Sequence, residues 1–156
     1  MVDIVDSATR SRIMSRIKGK DTKPEILIRK ALFKQGVRFR IQGKSLPGKP
    51  DLVLKKYSTV IFVHGCFWHG HDCSHFRMPS SNRVFWKKKI QGNKRNDMQH
   101  LATLRENGWR VLWIWECSIR RADSDAAEKV AHKAVKWLLT KSAFKEIKGG
   151  ANVTKR

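Results

Sequence analysis

The chain has 156 residues, 40% of them hydrophobic, and its 34 Lys and Arg against 13 Asp and Glu give a formal net charge of +21. That length suits one ordinary domain able to bury roughly 70% of its unfolded surface. Such a charge repels itself unless a polyanion is present, which points to nucleic acid before an anionic membrane surface or a ribosomal-type role, with binding that weakens steeply as salt rises.

No apolar run approaches the roughly 20 residues of a membrane span, and Met1 to Arg12 contains no signal-peptide core. A cytoplasmic, nucleoid-associated protein is expected, with no membrane partner. Three cysteines, Cys66, Cys73 and Cys117, are an odd number. In a reducing compartment they read better as metal-bound thiolates than as disulfides.

In chain order, residues 6–18 are polar and basic with Ala8, Ile13, Met14 and Ile17 interspersed, and residues 1–20 read as an arm that orders on its partner. Thr22-Lys23-Pro24-Glu25 is a capping box with proline in the first turn. It predicts a helix over 23–35 with Ile26, Leu27, Ala31 and Leu32 inward and Gly36 past its end. Glu25 is explained by the box, and a catalytic role stands beside that explanation. Val37 to Ile41 alternates as a strand, and residues 42–50 form a Gly/Pro loop. Asp51 to Leu54 and Tyr57 to Val63 read as a hairpin. Residues 74–82 are a polar loop. Residues 83–106 form a long basic helix on which Ile90, Asp97, Leu101 and Leu104 share one face. Asp97 thus points inward, where an unpaired carboxylate is costly, so a salt bridge or a polar active site must supply its partner. Trp109 to Trp115 is a strand suited to burial on both faces. A last helix starts at Asp123 or Ser124 and runs to about Thr140, and residues 142–156 read as a basic, disordered tail. The expected organisation is the arm, one domain over 21–141, and the tail. The class is α/β, with a small mixed sheet flanked by helices.

The run VIFVHGCFWHGHDC at 60–73 concentrates the chemistry. Cys66, Cys73 and Cys117 with one histidine make a Cys3His set, which suits a closed, structural zinc site. His69, His71 and His75 are all within reach, and His71 has the best flanking spacing. Asp51 opens one strand of the hairpin and His64 ends the other. A carboxylate there suits Mg2+, and His64 and His69 suit general base or acid work on a phosphodiester, with Asp97 as a second carboxylate. Phe67, Trp68 and Trp86 are either core aromatics or wedges between base pairs.

These residues resemble a known family. The run at 60–73, Leu-Pro-Gly-x-Pro-Asp at 46–51, Gly-Trp-Arg-Val-Leu-Trp-Ile-Trp-Glu-Cys at 108–117, and Ala-Thr-Arg-Ser at 8–11 with Met14 are similar to the very-short-patch repair (Vsr) mismatch endonucleases of bacteria, over roughly residues 6–140. The resemblance implies a restriction-endonuclease-like fold of the PD-(D/E)XK superfamily with a structural zinc. The implied reaction is nicking of one strand 5′ of the thymine in a T:G mismatch left by deamination of 5-methylcytosine. It implies Asp51 as the principal Mg2+ ligand, helped by the main-chain carbonyl of Val63. His64 and Asp97 would hold the metal's waters, His69 would be the general base, and Glu25 would stand at the edge of the site. Cys66, His71, Cys73 and Cys117 would bind Zn2+. Phe67, Trp68 and Trp86 would insert beside the mismatch, with the Met14 arm clamping the opposite groove.

Two departures stand out. Where the wider superfamily has a second strand carboxylate and a lysine, this chain has Phe62, Val63 and His64, the Vsr variation. Residue 63 is Val where a well-known member has Thr, which a carbonyl ligand tolerates. The expected protein is a Mg2+-dependent monomer acting on mismatched double-stranded DNA, with mismatch-repair proteins as candidate partners. A nuclease of broader mismatch or sequence preference, and a non-catalytic zinc-stabilised DNA-binding module, are the alternatives.

Overall fold

The computed structural model of the chain describes residues 21–74, 76–119 and 123–149. The expected N-terminal arm with Met14, His75, and the tail beyond 149 lie outside the described residues. Element order is α1 (Lys23–Lys34), β1 (Arg40–Ile41), β2 (Leu52–Leu54), β3 (Thr59–His64), α2 (Arg83–Glu106), β4 (Arg110–Trp115), α3 (Ser124–Leu138) and β5 (Phe144–Ile147). The five strands form one sheet in the order β1-β2-β3-β4-β5. Pairing is antiparallel across β1–β2–β3 and parallel across β3–β4–β5. The expected mixed α/β class is what the chain adopts.

Strand parity builds the two faces. Leu52, Leu54, Ile61, Leu112 and Ile114 point to one side, where they meet Ile28 and Leu32 of α1 and Ala127, Val130, Ala131, Ala134 and Leu138 of α3. Val53, Val60, Phe62, Val111, Trp113 and Trp115 point to the other side and meet Leu104 of α2, with Cys66, Cys73 and Cys117 in the same cluster. Asp51 has the parity of Val53, and His64 that of Phe62. Both therefore belong to the α2 face, where Asp97 also looks inward. No helix among the described residues is long and apolar enough to cross a membrane.

Four details differ from the sequence reading. Ile26 is 37% exposed, while Ile28 is fully buried in its place. The buried stripe of α1 is Glu25, Ile28, Ala31 and Leu32, rotated because a carboxylate occupies an inward position. The strand expected from Val37 shrinks to Arg40–Ile41. Arg38 instead folds back, its guanidinium 3.9 Å above the Phe33 ring and donating to the Phe33 carbonyl. Tyr57 belongs to a 3-10 turn over Lys55–Tyr57, and Ser58 at φ 50° delays β3 to Thr59. Finally, the reading of 142–156 as disordered tail is corrected over Phe144–Ile147, which form β5 and pair with Val111 to Ile114. Only Ile147 of that strand is buried, so its apolar signal was too short to stand out from the basic residues around it.

Candidate active site and metal centre

Thr22 caps α1 as expected, its Oγ1 accepting the Glu25 N–H at 3.4 Å. Glu25 is nonetheless 4% exposed. Its Oε2 accepts the Asp21 N–H and an Arg29 guanidinium N–H, each at 3.0 Å. It also lines a cavity of about 310 Å3 together with Lys49, Asp51, His64, His69 and Asp97. Box member and cavity wall are thus the same residue.

The hairpin positions Asp51. The Asp51 N–H donates to the Ile61 carbonyl at 3.0 Å, extending the ladder by one residue. The Val63 N–H then donates to Asp51 Oδ2 at 2.6 Å. Because N–H and C=O of one strand residue point to the same edge, the Val63 carbonyl faces the Asp51 side, as the Ile61 carbonyl does. Burial pushes the Asp51 carboxyl up to about 7 against the opposing Val63 hydrogen bond, and nearby Glu25 pushes the same way. A carboxylate held at such cost is one that a cation relieves.

His64 is 4% exposed, and its Nε2 is buried with no hydrogen-bond partner among the described residues. Burial, with His69 and His71 nearby, holds its pKa well below the ordinary histidine value, so it is neutral at pH 7. Its ring centroid lies 4.0 Å from that of His69. His69 Nδ1 lies 2.6 Å from Asp97 Oδ2. A carboxylate accepts, so Nδ1 carries the hydrogen and Nε2 is the basic nitrogen. The inward carboxylate of α2 has found its partner in His69, a histidine of the same cavity, rather than in Lys or Arg.

Cys66, His71, Cys73 and Cys117 each offer a ligand atom within 4.8 Å of the others. His71 Nδ1 is 3.5 Å from Cys117 Sγ. Of the described histidines within reach of the cysteines, His71 sits with the sulfurs, and His69 turns to Asp97. The hydrogen bond from Cys66 pulls the Cys117 thiol down to about 5, and the same bond pushes Cys66 up. The four donors crowd together, and their types and closeness fit one tetrahedral Zn2+, whose ligands stand roughly 3.8 Å apart. Asp51, the Val63 carbonyl edge and the buried, unpartnered His64 nitrogen are donors of the kind a hydrated hard divalent cation would take.

The loop between the two ligand sets is held from outside. Cys66 N–H donates to Glu116 Oε1 at 3.1 Å, and the Trp68 carbonyl accepts from Asn93 Nδ2 at 2.8 Å. Gly70 lies at φ 63°, and a Cβ there would stand 2.6 Å from Ile90 Cγ2. Gly70→Ala is expected to destabilise the protein by about 1–3 kcal/mol, through both strain and overpacking, measured by urea unfolding. Phe67, Trp68 and Trp86 are half-buried and meet edge-on or tilted at 5.2–5.8 Å, with Phe76 stacked on Phe67. They are neither sealed core nor separate surface residues. Trp68 and Phe67 also wall a second cavity of about 480 Å3, which shares Glu25, Val63, His64 and His69 with the first.

A family model described as DNA mismatch endonuclease Vsr matches residues 2–75. The DNA mismatch endonuclease Vsr of Escherichia coli K12 is 41% identical over 147 residues, 94% of this chain and 94% of its own length. The chain belongs to the Vsr DNA mismatch endonuclease family. Two further relatives are named as type II nicking enzymes. V.NmeAIP of Neisseria meningitidis is 47% identical over 120 residues, covering 77% of this chain and 86% of its own. V.XorIIP of Xanthomonas oryzae is 40% identical over 119 residues, covering 76% and 88%. As a member of the Vsr family the chain is a nuclease acting on DNA.

Three residues that line the cavity or hold its loop were not singled out from the sequence of this Vsr member. Lys49 and His100 line the Asp51 cavity. Lys49 stands two residues before Asp51, and His100 lies three after Asp97 on the inward face, so both had a positional signal. Glu116 stands beside Cys117 in the 108–117 motif, but nothing local showed its bond to Cys66, 50 residues away.

Proposed function

We propose that the protein is a Mg2+-dependent endonuclease that nicks one DNA strand 5′ of the thymine in T:G mismatches, on a restriction-endonuclease-like fold of the PD-(D/E)XK superfamily, with a structural zinc. The carrying observation is the convergence of Asp51, His64 and the His69–Asp97 pair in one cavity that adjoins an aromatic cluster. Asp51 and the Val63 carbonyl would hold Mg2+, which supplies Lewis-acid stabilisation of charge on the scissile phosphate. Asp97 orients His69 through Nδ1–H and stabilises the imidazolium once Nε2 has taken a proton from the attacking water. His64, neutral at pH 7, accepts a hydrogen bond from water at Nε2 without adding a competing positive charge. Glu25 stands at the edge, fixed by Arg29, and Lys49 adds positive charge beside the phosphate path. Cys66, His71, Cys73 and Cys117 would hold Zn2+, which fixes the loop carrying His69, Phe67 and Trp68. The protein would act in a bacterial cytoplasm as a monomer, with the Met14 arm on the opposite groove and mismatch-repair proteins as partners.

The exposed Lys87, Lys88, Lys89, Lys94 and Arg95 of α2 supply a phosphate-binding face beside Trp86. Phe67, Trp68 and Trp86 would enter a destabilised base step, where unstacking costs least, and their half-buried cluster beside the cavity supports that reading. Relative nicking rates on duplexes holding T:G, each other mismatch, or a paired T:A in one context test the substrate. A T:G preference supports the proposal, and equal rates on all of them contradict it. Trp68→Ala is expected to reduce discrimination between mismatched and paired duplex about tenfold or more, equivalent to a stacking loss of about 1.4 kcal/mol. Its rate per bound mismatch should change less.

A further inference from the structure

Behind the histidines lies a set of contacts that the proposed reaction does not use. Trp115 ends β4, is 4% exposed, and pairs in register with His64. Its indole stacks on His71, with centroids 4.1 Å apart and planes 9° apart, and touches His64 at 4.9 Å. One side chain therefore faces a member of the cysteine cluster and a member of the phosphate site. The indole is held from β5, its Nε1 donating to Glu146 Oε1 at 2.8 Å. Three residues later the Gly149 N–H donates to Cys117 Sγ at 3.4 Å. A Cβ on Gly149 would lie 2.4 Å from the Cys117 carbonyl oxygen, so the chain approaches Cys117 more closely than any side chain at that position permits.

We infer that β5 and Gly149 form a clamp that positions both histidines. Glu146 fixes the Trp115 indole, the indole fixes the ring planes of His71 and His64, and Gly149 fixes the Cys117 sulfur. The nitrogen lone pairs of an imidazole lie in its ring plane, so a wall that sets the plane sets where they point. Glu146 is otherwise exposed on an edge strand, where the sheet itself gives no reason for a carboxylate. An indole N–H bonded to a carboxylate is charge-assisted and stronger than a neutral pair. Trp115 and Glu146 are thus positioning residues that join the zinc ligands to the phosphate site.

The inference rests on the zinc reading of the cysteine cluster, so zinc content of the wild-type protein is measured first. A zinc-free wild type overturns that reading and the clamp with it. With one zinc per chain, the variants decide. Glu146→Ala and Trp115→Phe should each speed zinc release to a chromogenic chelator about tenfold and lower kcat for nicking with KM for DNA unchanged. Glu146→Gln, whose amide oxygen accepts the same N–H, should stay within about twofold of wild type. The double variant Glu146→Ala/Trp115→Phe should be no worse than Trp115→Phe alone, because losing the indole N–H already removes the bond that Glu146 accepts. Because Glu146 is exposed, its substitution leaves no core cavity. Wild-type release rates in both single variants, additive effects in the double variant, or a Gln variant as fast as the Ala one would each overturn the clamp.

Discussion

Asp51→Asn should abolish nicking while leaving DNA binding and fold intact. Loss of the carboxylate removes the charged ligand of a divalent cation, worth several kcal/mol of transition-state stabilisation, so kcat should fall by on the order of 10^3 or more. The same substitution should stabilise the metal-free protein. Burial moves the Asp51 pKa from 3.8 to about 7, so between those values the folded chain holds a proton that the unfolded chain releases. The stability linked to this group is fully present below pH 3.8 and is lost as pH rises through about 7. In a chelator at pH 8, Asp51→Asn should therefore unfold at a higher urea concentration than wild type, by on the order of a few kcal/mol. The gap should close as pH falls toward 4, and millimolar Mg2+ should narrow it at pH 8 by stabilising wild type alone. A wild type that matches the variant at every pH would contradict the buried-carboxylate account.

The second large effect separates two histidines only two residues apart. His71→Ala removes a donor from the cysteine cluster and should release zinc, unfold the 66–73 loop and lower Tm by roughly 10 °C, since structural zinc binding is folding free energy. His69→Ala removes the partner of Asp97 and should leave zinc content and Tm close to wild type while nicking is lost. Leaving Asp97 without its hydrogen bond costs some stability, which its partial exposure (15%) reduces. Zinc loss in the His69 variant and retention in the His71 variant would reverse the division of the loop.

The sequence carried most of this site because its signals are local. The run 60–73 contains three of the four clustered Cys/His donors and both histidines of the Asp51 cavity, and strand parity alone puts Asp51 and His64 on one face. The helical offsets of α2 put Asp97 on that face as well, and the need of an inward carboxylate for a partner was met by His69. What stayed hidden was carried by long-range contacts. Glu116 reaches Cys66 across 50 residues, and Glu146 reaches Trp115 across 31. β5 is four residues with one buried side chain, so a parallel edge strand looked like basic tail until β4 was there to pair with it. Glu25 was readable locally as a cap, which accounts for the residue completely at that level, and only the resemblance put it at the edge of the site, where it lines the Asp51 cavity. The same residue then explains why Ile26 faces out.

The 60–73 run emerges as three interleaved sets held by one loop. Cys66, His71 and Cys73 converge with Cys117, His64 and His69 face the Asp51 cavity, and Phe67 and Trp68 face its neighbour. The most direct test of this account is cleavage of a strand-labelled duplex containing one T:G mismatch, with Mg2+ or with a chelator selective for it. The account predicts a single nick 5′ of the thymine, on the thymine strand alone, leaving a 5′-phosphate and a 3′-hydroxyl, and no product without Mg2+. Undiminished cutting in the chelator, or equal cutting of both strands or of the fully paired duplex, would contradict it.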